Sequence, residues 1–88
     1  MDTESRRKRL IYRATHRGTK ESDALVGGFY REAVPALDPA DFDEAERLLD
    51  ESDADLLDWL MGRKPVPAAW SGTIFDRLHA YARSRGAP

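Results

Sequence analysis

Two histidines, sixteen carboxylates and fourteen lysines and arginines are the side chains with which this 88-residue chain could do chemistry. His16 and His79 lack the H-x-x-x-H spacing of a zinc helix and fall in different helical segments, so they frame no metal site. Cysteine is absent, which removes thiolate zinc sites, disulfides and thiol nucleophiles. No serine stands in a nucleophile context, and Gly27-Gly28 fits neither a phosphate loop nor a dinucleotide fingerprint. No catalytic, metal-binding or cofactor-binding residue is assigned, and the chain is not expected to be an enzyme.

One cluster is charged beyond what a turn requires. In "HRGTKESD", residues 16–23, Arg17, Lys20, Glu21 and Asp23 crowd around Gly18. A purely local account exists: glycine ends one helix, acids begin the next, and Arg17 pairs with Glu21. The alternative is a contact point for another protein. A glycine at a convex corner lets a second backbone approach closely, and an arginine fork with a carboxylate beside it fixes the visitor's orientation. His16, Arg17, Gly18, Glu21 and Asp23 are the candidate partner-binding residues, with Asp23 the weaker because it also suits a helix start.

Charge distribution limits the partner class. Residues 1–20 carry seven Lys/Arg against two Asp/Glu, residues 21–62 two against thirteen, and residues 63–88 five against one. The net charge of −2 leaves no molecule-wide basic field, so nucleic acid is not expected as a partner. The run "RRKR", residues 6–9, reads as the solvated face of an amphipathic helix. No apolar run approaches the ~18 residues that span a bilayer, and the N-terminus has neither a secretory nor a transit signature, so the chain is read as intracellular and mature as written.

Helical periodicity recurs along the chain and strand alternation does not, which predicts an all-α, single-domain bundle of five short helices with an ordered core over about 4–84. The first helix is expected from Glu4 to about His16, with Leu10, Ile11 and Ala14 inward and Arg6, Arg7, Lys8, Arg9 and Arg13 mostly outward. The second starts near Thr19 or Lys20, buries Leu25, Val26, Phe29 and Ala33, and stops at Pro35; Gly27 and Gly28 within it imply close helix packing. Asp38 and Pro39 open a third helix that buries Phe42, Ala45, Leu48 and Leu49. The fourth, "SDADLLDWLMG", is capped by Ser52 or Asp53, closed by Gly62 and expected to be the most buried. After the connector "RKPVPAAW" a last helix runs from about Ser71 to Ser84, buries Ile74, Phe75, Leu78 and Tyr81, and ends in a frayed "RSRGAP".

The segment "KRLIYRATHRGTKESD" resembles the N-terminal signature of the SdhE family, the succinate dehydrogenase assembly factor 2 or flavinator proteins. The motif R-G-x-x-E is matched by Arg17, Gly18 and Glu21, with an aspartate two residues later at Asp23. Gly27 and Phe29 follow, and then "FDEAERLLDESDADLLDWLMGRKPVP", whose D-x-D-L-x-x-W-L core and proline link stand in the family's order. The resemblance covers roughly residues 6 to 82. Ser22, where an apolar residue is common, and Gly28, where a longer side chain often sits, depart from the pattern and put the local stability of the second helix in question.

The resemblance implies a five-helix protein that binds the flavoprotein subunit of succinate dehydrogenase, and possibly that of fumarate reductase, and promotes covalent attachment of FAD to it. No cofactor would be bound stably by the chain itself. On that reading Gly18 permits close approach and Arg17 and Glu21 make polar contacts beside it. A bacterial cytoplasmic protein, monomeric when free and not inserted in membranes, is the expectation. An antitoxin-like or other regulatory protein-binding module without a flavoprotein client is the alternative.

Overall fold

A computed structural model describes residues 2–88. Among them are five helices and no strand, arranged around one apolar core: α1 (Thr3–Thr15), α2 over residues 20–33, α3 (Phe42–Leu49), α4 (Asp53–Leu60) and α5 (Ile74–Ser84). Helix starts follow local capping chemistry. The side chains of Asp2, Thr19, Asp38, Ser52 and Thr73 each accept a backbone N–H of the first turn that follows. At Asp38 that turn is a 3-10 turn, Pro39–Asp41, which leads into α3.

Two helices end as expected of glycine. After α4, Gly62 at φ +75° lets its own N–H reach Trp59 O and that of Arg63 reach Asp58 O. After α5, Gly86 at φ +103° repeats the arrangement, with Ala87 N–H on Ala82 O at 3.1 Å. The C-terminal tail, expected to fray, is thereby tied back, and Ala87 packs against the core.

Helix α2 is where the sequence reading needed correction. It is α-helical over Lys20–Ser22, widens to a π-helix over Asp23–Gly27, and is α-helical again over Gly28–Ala33. The two adjacent glycines face different neighbours. A Cβ on Gly27 would lie 3.0 Å from Ala14 O and 3.2 Å from Thr15 Cα, so this glycine sets how closely α1 approaches. A Cβ on Gly28 would lie 2.3 Å from the Tyr81 hydroxyl oxygen of α5, which fills the place of the missing side chain. Ser22 is fully buried, and its hydroxyl is the one buried side-chain polar atom without a partner among the described residues. Such a group destabilises by about 1–3 kcal/mol.

The apolar stripe of α3 is buried as its spacing predicts, and those of α1 and α5 are buried except at Ile11 and Tyr81, which are half-buried against the core. Helix α4 is not the most buried element. It buries Leu56, Trp59 and Leu60, three of its eight residues, against four of eight in α3, while Met61 is 36% exposed. The basic face of α1 is also less solvated than its pattern suggests. Arg6 binds Asp43 at 2.9 Å and Glu46 at 2.7 Å on α3, and Arg13 binds Asp50 at 2.8 Å. Arg7 donates to the carbonyls of Val34 (2.6 Å) and Leu37 (2.7 Å), and its guanidinium lies 4.9 Å from the Phe42 ring centre. The basic N-terminal block thus docks on the acidic middle one, and only Lys8 and Arg9 of "RRKR" stay fully exposed.

On α5, His79 is half-buried beside the Phe75 ring, 5.6 Å away. Burial first, then the Arg83 guanidinium, hold its pKa below the usual imidazole value, with Asp76 opposing. The folded chain therefore takes up this proton less readily than the unfolded one, whose value is near 6.5. The stabilisation is whole above about pH 6.5 and is lost as pH falls through the folded value. Urea midpoints are expected to fall between about pH 7.5 and about pH 5.5, and His79→Gln to flatten that slope. An unchanged slope in the variant would place the proton uptake elsewhere.

Candidate protein-docking corner

The corner between α1 and α2 is built by residues that turn in opposite directions. Arg17 turns inward, and its side chain is only 10% exposed. Its Nε bonds Asp53, Nη1 donates to Leu49 O at 2.7 Å and Nη2 to Glu51 O at 2.5 Å. Leu49 closes α3 and Asp53 opens α4, so the guanidinium fills the point where the negative end of one helix meets a carboxylate on the next. Arg17 thus pairs with Asp53, 36 residues away, and not with Glu21. Asp23 also faces inward, accepting the Arg17 backbone N–H at 2.9 Å.

The remaining candidates face out. Gly18 has φ +104°, the conformation expected of it, and nothing lies within 4 Å of where a Cβ would stand. Lys20 and Glu21 are exposed on the first turn of α2, and neither enters an ion pair among the described residues. His16 caps α1, exposed, with Nδ1 2.8 Å from Tyr12 O. A carbonyl only accepts, so Nδ1 carries the hydrogen and Nε2 is left to solvent. The His16 ring stacks on Tyr12, centroids 4.0 Å apart and planes 18° from parallel.

The five candidates therefore divide: Arg17 and Asp23 brace the corner from inside, while His16, Gly18 and Glu21 present it. Sequence reasoning passed over Asp53 and Tyr12. Asp53 was visible only as a helix-start acid, because nothing local announces a partner 36 positions upstream. Tyr12 was legible in principle, since positions 5, 8, 9, 12 and 16 form a second stripe at helical spacing, polar except at Tyr12 itself.

What this arrangement can do is hold a bare stretch of backbone at a rigid convex point, flanked by an acid and two bases. Among the described residues no group of three or more His, Cys, Asp or Glu could hold a metal ion, and no helix is long and apolar enough to cross a membrane.

A protein-family model described as "Flavinator of succinate dehydrogenase" matches residues 8–82. The chain is 37% identical over 81 residues to the FAD assembly factor SdhE of Acetobacter pasteurianus, covering 92% of this chain and 74% of that protein. It is 40% identical over 87 residues to the mitochondrial succinate dehydrogenase assembly factor 2 of Mycosarcoma maydis, covering 92% of this chain and 37% of that one. With the corresponding Cryptococcus neoformans protein the identity is 35%, over 97% of this chain and 49% of the relative. The chain thus spans less than half the length of these two fungal relatives.

Proposed function

The chain belongs to the family of succinate dehydrogenase flavinators, and on that premise we propose that it docks through the Gly18 corner on the flavoprotein subunit of a succinate dehydrogenase and promotes covalent attachment of FAD there. The observation that carries this reading is the family match over residues 8–82, which takes in the whole corner. FAD is the client's substrate and not a resident cofactor of this chain, and the reacting groups belong to the client.

The physical contribution is orientation supplied in trans. A subunit held so that a nucleophilic imidazole rests against the flavin has lost translational and rotational freedom before the bond forms, which removes an entropic part of the barrier. Binding one arrangement of a mobile client better than another shifts its population the same way. A small rigid protein suits this role because its own docking surface needs no ordering on contact. In the corner, Gly18 gives close approach, His16 and Glu21 flank it with polar contacts, and Arg17 and Asp23 keep its shape. The fumarate reductase flavoprotein is a second client on this reading. On this reading the protein acts as a monomer in the bacterial cytoplasm, and one of its relatives, the Acetobacter factor, is bacterial.

The test is deletion in the native host. Covalent flavin fluorescence on the dehydrogenase flavoprotein in a denaturing gel is expected to disappear, and to return with the wild-type chain. Undiminished fluorescence in the deletion strain would overturn the reading.

A further inference from the structure

On the reading that the Gly18 corner docks a flavoprotein, we propose that the docking surface continues along the solvent face of α1 as a basic stripe anchored by Tyr12, and that it meets an acidic strip on the client. Lys8, Arg9, Tyr12 and His16 fall at i, i+1, i+4 and i+8, within one third of the helix circumference and over about 12 Å of its length. All four are exposed. The basic residues that face other helices are engaged: Arg6 and Arg13 with acids, Arg7 with carbonyls. Lys8 and Arg9 have no ion pair among the described residues, and the stripe itself contains no acid.

Tyr12 is the anchor for a physical reason. At 63% exposure it is the most exposed large apolar side chain among the described residues, yet it is not free to move as a lone surface tyrosine is. The His16 ring lies flat against it, and that ring is held to the Tyr12 carbonyl. An aromatic already fixed loses little freedom on binding, and tyrosine with arginine beside it is the composition that dominates interface energetics. Charge complementarity sets the occupant. Cations around an aromatic, with the acids Asp2 and Glu4 lying only beyond the Lys8 end of the stripe, fit a carboxylate-bearing protein surface, and His16 leads directly into Gly18, so the client proposed at the corner supplies it. Phosphate of a nucleic acid is disfavoured by the acidic stretch of residues 21–62, thirteen acids against two bases.

The experiment titrates the purified chain against the purified succinate dehydrogenase flavoprotein subunit at about 50 and about 300 mM NaCl. Tyr12→Ala is expected to raise Kd about 30-fold, chiefly through faster dissociation. The double variant Lys8→Glu/Arg9→Glu is expected to slow association about tenfold at low salt and to flatten the salt dependence. Helical circular dichroism should match wild type in both, since the changed side chains are exposed. Wild-type binding by both variants overturns the stripe; if Gly18→Arg still abolishes binding in the same assay, the corner stands without it. Wild-type binding by Gly18→Arg as well overturns both. Tighter binding of the wild-type chain to duplex DNA than to the flavoprotein also overturns the stripe.

Discussion

Arg17→Ala lowers the free energy of unfolding by about 3–5 kcal/mol, measured by urea denaturation. The truncation strands a carboxylate and two carbonyls. Asp53, 21% exposed, loses its counter-ion, and Leu49 O and Glu51 O lose their donor where water has limited access. A domain of 88 residues has roughly 4–13 kcal/mol in all, so the melting temperature should fall by about 12 °C or more. Arg17→Lys keeps the charge but not the three-way fork, and should recover less than half of the loss. A loss under about 1 kcal/mol for Arg17→Ala would mean that the bonds exchange freely with water. Client binding should fall with Arg17→Ala even though this guanidinium faces inward, because the corner it braces is released from the α3–α4 turn.

Gly18→Arg abolishes client binding while the chain remains helical. Two effects combine in this substitution, and they can be separated. The backbone at φ +104° is strained for any side chain, destabilising by about 1–2 kcal/mol, which Gly18→Ala would show alone. The space beyond the missing Cβ is open in the isolated chain, so the bulk of arginine clashes with nothing until a partner arrives. Gly18→Ala should therefore melt much as Gly18→Arg does yet retain measurable affinity, whereas Gly18→Arg should bind at least 100-fold more weakly, on the order of 3 kcal/mol. Equal affinities for the two variants would show that strain, and not close approach, explains the effect.

Much of this was legible from local chemistry. The caps at Asp38 and Ser52, the left-handed Gly18 and Gly62, and the inward stripes of α1, α3 and α5 depend on a few adjacent residues and on the 3.6-residue repeat. The motif R-G-x-x-E could be read directly, and with it the turn at Gly18 that we propose as the docking corner. What Arg17 does within that motif could not. The charged cluster suggested a pair with Glu21, but the side chain runs to Asp53. The π turn in α2 was equally invisible: glycine pairs mark a weak helix without saying that one residue will be inserted into its turn.

The sequence by itself determined where most helices begin and end, though α5 starts at Ile74 behind a Thr73 cap and not near Ser71, which stripe of each is apolar, and which family the chain resembles. Only the tertiary structure decided that Arg6, Arg7, Arg13 and Arg17 are internal ties while Lys8 and Arg9 face solvent, that Gly27 serves α1 and Gly28 serves Tyr81, and that Ser22 is buried without a partner. The reason is geometric. Periodicity specifies one buried face of a helix, but residues on its flanks are covered or left bare according to where neighbours distant in sequence come to lie, and no local pattern carries that information.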